Sequence, residues 1–222
     1  MRTLYALVIA GLVATTTEAA AVEIPVDDLD RWTVLSFNRI PPNTVTVEDG
    51  ELVLAIDGSA SPLVYKLDVP TSITGVNVIA RWDGALDIPE GATQGDENAD
   101  DFVLKLGIVE AGERTLGFLQ RSIAADWIKQ LFKLAPKGTG VKRINFLSTT
   151  QDPALLGSQR THPLSDLLYE NRIRHLEMPG AFEMTHRFDA PVETLGLWIS
   201  SDGDGTGSRF ELRIERIELL TE

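Results

Sequence analysis

Two short stretches of this chain carry oxygen donors at spacings that could hold a hard cation. The first runs Gly95-Asp96-Glu97-Asn98-Ala99-Asp100-Asp101, and the second Asp202-Gly203-Asp204-Gly205-Thr206-Gly207-Ser208. Ca2+ takes about six to eight oxygens from flexible loops, so Asp100, Asp101, Asp202, Asp204 and Thr206 are the candidate metal ligands and Ca2+ the candidate cofactor. The second stretch opens like an EF-hand loop, with Asp202, Asp204, Thr206 and Gly207 at the first, third, fifth and sixth places. It then departs, because Arg213 stands at the twelfth place, where a bidentate Glu is required, and a strand pattern follows where a helix should. The plainer account of both stretches is Asp/Gly turns at strand ends. Lys105 lying beside the carboxylates would make the cluster a salt-bridged structural feature instead.

Aromatic side chains offer a second kind of chemistry. Trp32, Trp82, Trp127 and Trp198 are the four tryptophans. Trp198 has the opposite parity to Leu195, Leu197 and Ile199. It therefore stands on the far face of its strand, where a flat ring could stack on a sugar or pack beneath a helix. Signatures of catalysis are missing: there is no Gly-x-Ser-x-Gly elbow, no phosphate-binding glycine loop and no His pair at metal spacing. His162, His175 and His186 are scattered and read as surface or core residues. Paired glycosidase carboxylates have no fixed spacing, so with 33 Asp and Glu in the chain the sequence does not decide for or against them. No catalytic residue is designated.

These residues need strands to hold them. Val45 to Ile56 alternates on both sides of Asp49-Gly50, a hairpin with a tight turn. Leu63–Leu67, Val76–Trp82, Phe102–Val109, Ile144–Leu147, Leu195–Ile199 and Phe210–Leu219 read as further strands. Ser122 caps a predicted helix over Ile123–Leu134, where Ile123, Trp127, Leu131 and Leu134 form a stripe. Ser165–Arg174 is a weaker second helix. Residues 85–99 form a long loop rich in Gly, Pro, Asp and Glu. The expected fold is all-β, an antiparallel β-sandwich of jelly-roll type with one or two short helices. In the last strand, Phe210, Leu212 and Ile214 share one parity and Ile217 and Leu219 the other. One face can hold all five only if a β-bulge intervenes near Glu215-Arg216.

The N-terminus reads as an export signal. Met1-Arg2-Thr3 is basic, Leu4–Val13 is apolar but shorter than the ~20 residues a membrane span needs, and Ala19-Ala20-Ala21 offers a cleavage site after Ala21. The expected organisation is a signal peptide over 1–21 and one β-sandwich domain over 22–222, located in the periplasm or outside the cell, with no membrane span. There are no cysteines, and the net charge of −13 argues against nucleic acid and anionic lipid as partners.

Asp100-Asp101-Phe102 and Asp202-Gly203-Asp204-Gly205-Thr206, with Arg81-Trp82 upstream, resemble a family of secreted bacterial proteins known as a conserved domain of unknown function. In that family an Asp-Asp-Phe segment opens a middle strand and an Asp-x-Asp-x-Thr segment precedes the last. Lys105 stands where the resemblance implies an Arg, which would remove a bidentate contact. Arg81, Trp82 and Lys105 join Trp198 as candidate ligand-binding residues. The ending of the Phe210–Leu219 strand is also similar to jelly-roll carbohydrate-binding modules. That likeness implies a non-catalytic binding domain for a saccharide or envelope component. The alternatives are a glycan-acting hydrolase or lyase using carboxylates of the Asp96–Asp101 loop, and a structural or assembly protein with no small ligand.

Overall fold

The computed structural model describes residues 20–163 and 165–222, so all but the end of the expected signal segment lies outside the described residues. Eleven strands form the body: β1 Ala21–Ile24, β2 Trp32–Val34, β3 Thr44–Glu48, β4 Glu51–Asp57, β5 Leu63–Ala85, β6 Lys105–Gly112, β7 Gly140–Thr150, β8 Gln159–His162, β9 Ser165–His175, β10 Gly180–Ser200 and β11 Arg209–Leu220. Two helices, α1 Phe118–Ile123 and α2 Asp126–Lys133, lie between β6 and β7. Among the described residues no helix is long and apolar enough to cross a membrane.

The expected β-sandwich with two short helices is present. Its hydrogen-bonded order is β3-β4-β11-β5-β10-β6-β7-β9-β8, with β1 on β11 and β2 on β5. Strands β5 and β10 pair antiparallel along most of their length, with register shifts between Arg187 and Val192 and between Thr194 and Gly196. Their two halves serve different layers. The Val76–Trp82 half of β5 pairs with β11, while Leu63–Lys66 continues through β10 toward β6. The two expected strands Leu63–Leu67 and Val76–Trp82 are thus one long element. Apolar side chains of both layers, including Leu54, Ile56, Phe210 and Leu212 from one and Leu106, Ile108, Leu197 and Leu63 from the other, form one buried core.

The 49–50 turn has Asp49 at φ 52° and Gly50 at φ 83°. Two positive φ values in a two-residue loop match the right-handed strand twist, and Gly takes them without a Cβ penalty. In β11 the pairing with β5 slips between Ile214 and Arg216, leaving Glu215 as the extra residue. Phe210, Leu212, Ile214, Ile217 and Leu219 are consequently all buried.

Three expectations are corrected. The single helix over 123–134 is two helices broken at Ala124-Ala125, and Ser122 lies inside α1, where its hydroxyl donates to Leu119 O. The helix expected over Ser165–Arg174 is strand β9. Leu168, Glu170 and Arg172 alternate onto one face of β9, and cross-strand pairing outweighs a weak helical stripe. The sheet is also not wholly antiparallel, because β9 runs parallel to β7. Residues 151–163, which include β8, bring the chain back toward the same end of the sheet before β9 begins.

Candidate functional site

Strand register builds the site. Across β10, β6, β7 and β9, residues opposite one another lie in rows on the outer face of the second layer. One row is Val109, Ile144 and Leu168; the next is Trp198, Gly107, Phe146 and Glu170; the third is Ser200, Lys105, Ser148 and Arg172. The face therefore grades from apolar through aromatic to charged within three rows. Gly107 is required in the middle row: a Cβ there would lie 2.5 Å from Ile144 Cγ2 and 2.9 Å from Phe146 Cε1. The missing side chain lets Phe146 lie down across β6.

Helix α2 covers the apolar end. Its Leu131, with Leu134 just beyond, packs with Val109, Ile144, Phe146 and Trp198 in a second, smaller core. Trp127 meets Trp198 edge to face, with ring centroids 6.3 Å apart and planes at 82°. Trp198 is on the face its parity requires, and Trp127 leaves it only 3% exposed. What α2 does not cover is a cleft of about 730 Å3. Phe37, Ile40, Trp127, Ile144, Phe146, Leu168 and Trp198 line its apolar part, and Asp100, Asp101, Lys105, His162, Glu170, Asp202 and Asp204 its charged part.

The two acidic stretches meet at this charged end. Asp101, 2% exposed, accepts hydrogen bonds from Gly205 N at 3.2 Å and from Thr206 N and Oγ1 at 2.7 Å each. Gln94 clamps the same loop by donating to Asp101 O at 2.8 Å. Asp202 pairs with Lys105, Oδ2 to Nζ 2.8 Å, and both side chains are 11% exposed. Burial disfavours the Lys105 ammonium, but Asp202, with Asp100 and Glu170 nearby, outweighs it and holds the group above its ordinary range. The ring of Phe102, fully buried, is shared by two cations: Lys105 Nζ is 4.7 Å and Arg172 Cζ 5.6 Å from its centroid.

Glu170 anchors the far wall. Its Oε2 accepts from Arg160 Nε at 2.5 Å and from Arg172 Nη2 at 3.1 Å. Burial pushes its carboxyl up, but Arg160, Lys105 and Arg172 together hold it below the usual carboxylate range. Asp100 Oδ2 lies 3.5 Å from His162 Nε2, and oxygens of Asp100 and Glu170 with a His162 nitrogen fall within 4.8 Å of one another. At the mouth, burial followed by the charge of Asp101 raises the Asp204 carboxyl above its ordinary value.

Of the residues singled out in the sequence, Trp198, Lys105, Asp100, Asp101, Asp202 and Asp204 line this one cleft, and Thr206 ties the loop behind it. Arg81 and Trp82 lie elsewhere. Arg81 is a surface residue 2.5 Å from Glu51 Oε2, and Trp82 is in the sandwich core, edge-on to Phe210. Trp127, His162 and Glu170 were not singled out. Reading 165–174 as a strand would have placed Glu170 and Arg172 beside Leu168 on one face.

No protein-family model matches the chain, and no curated protein matches it. Among solved structures it is similar to a variant of a family 29 carbohydrate-binding module, described as a probe of that family's ligand recognition. The TM-score is 0.36 and the identity 9%, over 91% of this chain and 93% of that one. At that degree of overlap the likeness adds nothing to the geometry above.

Proposed function

We propose that this protein is an extracytoplasmic, non-catalytic binding domain that takes a saccharide or another envelope component in the cleft between α2 and the outer face of β6, β7, β9 and β10. The observation that carries the reading is the cleft's make-up, an aromatic and aliphatic floor beside a fixed set of charged acceptors. Apolar walls supply contact area, and a few held polar groups orient the ligand. Trp127, half-buried at the rim, offers ring surface to a sugar. A glycan array followed by product analysis tests it. Binding without turnover is expected, and Trp127→Ala should weaken that binding by roughly tenfold or more. Failure of every glycan to bind overturns it.

A second reading is a glycan-acting hydrolase or lyase, favoured by the raised Asp204 carboxyl beside other cleft carboxylates. Turnover in the same assay would establish it. The acidic stretches themselves we read as a salt-bridged structural cluster, in which the Lys105 ammonium supplies the positive charge that Ca2+ would otherwise bring. Export completes the proposal. Protein recovered from outside the cytoplasm should begin at Val22, and an intact Met1 there would refute it. Such cleavage removes Ala20, whose carbonyl accepts from Thr221 N and Oγ1, and keeps the Val22–Ile24 pairing with β11.

A further inference from the structure

Helix α1 is apolar where it should not be. Phe118, Leu119 and Ile123 are 88%, 77% and 86% exposed. Single exposed apolar side chains are ordinary, but three on a six-residue helix make a patch that needs an occupant. No acidic residue lies between Glu113 and Asp126, a stretch that holds Arg114 and Arg121 in a chain of net charge −13. The patch is also not isolated. Helix α1 passes through Ala124 directly into Ala125 and Trp127, which line the cleft, so the apolar floor leads toward it.

The other end of the cleft has acceptors to spare. Both guanidinium contacts of Glu170 fall on Oε2 and neither on Oε1, although the side chain is 3% exposed. Asp100 Oδ1 is buried with no hydrogen-bond partner. Asp204 has no partner from another residue among the described residues. Five lining carboxylates face one lining lysine and His162, and they still outnumber the cations when Arg160, which reaches Glu170 and lies 3.9 Å from Asp100 Oδ1, and Arg172 on Glu170 are added. An anionic head would be repelled there, whereas hydroxyl groups would donate to these oxygens.

We infer that the ligand is an amphiphile, a sugar bearing an alkyl or acyl chain. Its glycosyl head occupies the charged end, and its chain runs along the Trp127 wall and out over α1. This rests on the saccharide reading and names what the sugar is attached to.

Calorimetric titration of the full chain tests it, using a panel of free sugars, the matching long-chain alkyl glycosides below their micelle concentrations, and laurate. Each buried methylene contributes roughly fourfold, so the matching alkyl glycoside should bind at least about tenfold tighter than its free sugar, and laurate should not bind. The triple variant Phe118→Ser/Leu119→Ser/Ile123→Ser should lose about tenfold for the alkyl glycoside, moving it toward the free sugar. Circular dichroism checks that the variant is folded. Equal affinity for a sugar and its alkyl glycoside, or a triple variant as tight as the parent, overturns the amphiphile and leaves the saccharide reading standing. Laurate binding as tightly as the glycosides, or no binding across the panel, overturns both.

Discussion

Replacing Lys105 with Met lowers the unfolding free energy by about 3–5 kcal/mol at neutral pH, because it leaves the Asp202 carboxylate buried without a counter-charge. Asp202 has no cheap way out. It is held in the chain by a bridge to Ala60 and by its own N–H on Phe102 O, so it cannot swing to solvent. Burial already pushes its carboxyl above the ordinary value, with Asp204 and Asp101 adding to the push, and Lys105 pulls it only part of the way back. In the variant the folded-state value therefore lies above the unfolded one. The folded state then binds protons more tightly, so the deficit shrinks as pH falls and is largest at and above neutrality. Adding Asp202→Asn to Lys105→Met should recover part of the loss, since a neutral amide costs less to bury than a charge. Urea unfolding at two pH values measures this. A single-variant loss under about 1 kcal/mol, or a loss that grows in acid, would show the pair to be peripheral. The structural reading of the cluster also expects the native melt to ignore Ca2+. Stabilisation of about 2.7 kcal/mol at a hundredfold excess over Kd would place a metal there instead.

Deleting Glu215 should be worse. The deletion removes the extra residue between Ile214 and Arg216, so the register with β5 must run straight. Either Phe210, Leu212 and Ile214 stay inside and Ile217 and Leu219 turn outward, or the reverse occurs. In the milder case two fully buried side chains reach water, at about 1.5–3 kcal/mol each. The pairing of β1 with Ile217–Leu220 is lost with them. The sum approaches the whole stability of an ordinary domain, about 5–15 kcal/mol. The deletion variant should be recovered as aggregate or as a chain without a cooperative melt. Substitution of the same residue, Glu215→Ala, keeps the bulge and should melt within a few degrees of the parent. A deletion variant that folds normally would show that the slip is not what keeps the two apolar sets on one face.

The bulge was legible because parity is a strict code. Five apolar residues in two parities admit few solutions on a buried face. The Asp49-Gly50 turn and the core strands were legible for a similar reason, since local backbone chemistry and period-two alternation agree there. Ser165–Arg174 was not. Leu167, Leu168 and Ile173 fit a helical stripe as well as a strand, and the deciding contact is with β7, some twenty residues earlier and in the less common parallel direction. That one misreading hid half the site, because Glu170 and Arg172 line up with Phe146 and Ser148 only once β9 is a strand. The meeting of Asp101 with Gly205 and Thr206 was visible as two acidic segments at strand ends. Lys105 was legible as the residue that would turn the cluster into a salt-bridged one, but its choice of Asp202 was not, because pairing across about a hundred residues leaves no local mark.

The shared strands of the two layers also set an order of events. The Leu63–Ala85 strand is the spine of both layers, yet its partners on either side are Gly180–Ser200 and Arg209–Leu220. A chain made from its N-terminus has its spine in place, with only the three-residue β2 to pair with it, long before those two long partners arrive. In the interval the Val45–Ile56 hairpin and the β6-β7-β9-β8 group can pair, but that group reaches the spine only through Gly180–Ser200. Closing loops of a hundred residues or more comes first and the reward after, which makes folding slow and late. The two layers thus stay unjoined until the last forty or so residues arrive, and a pore that passes only unfolded chain would meet this one before its sandwich has closed.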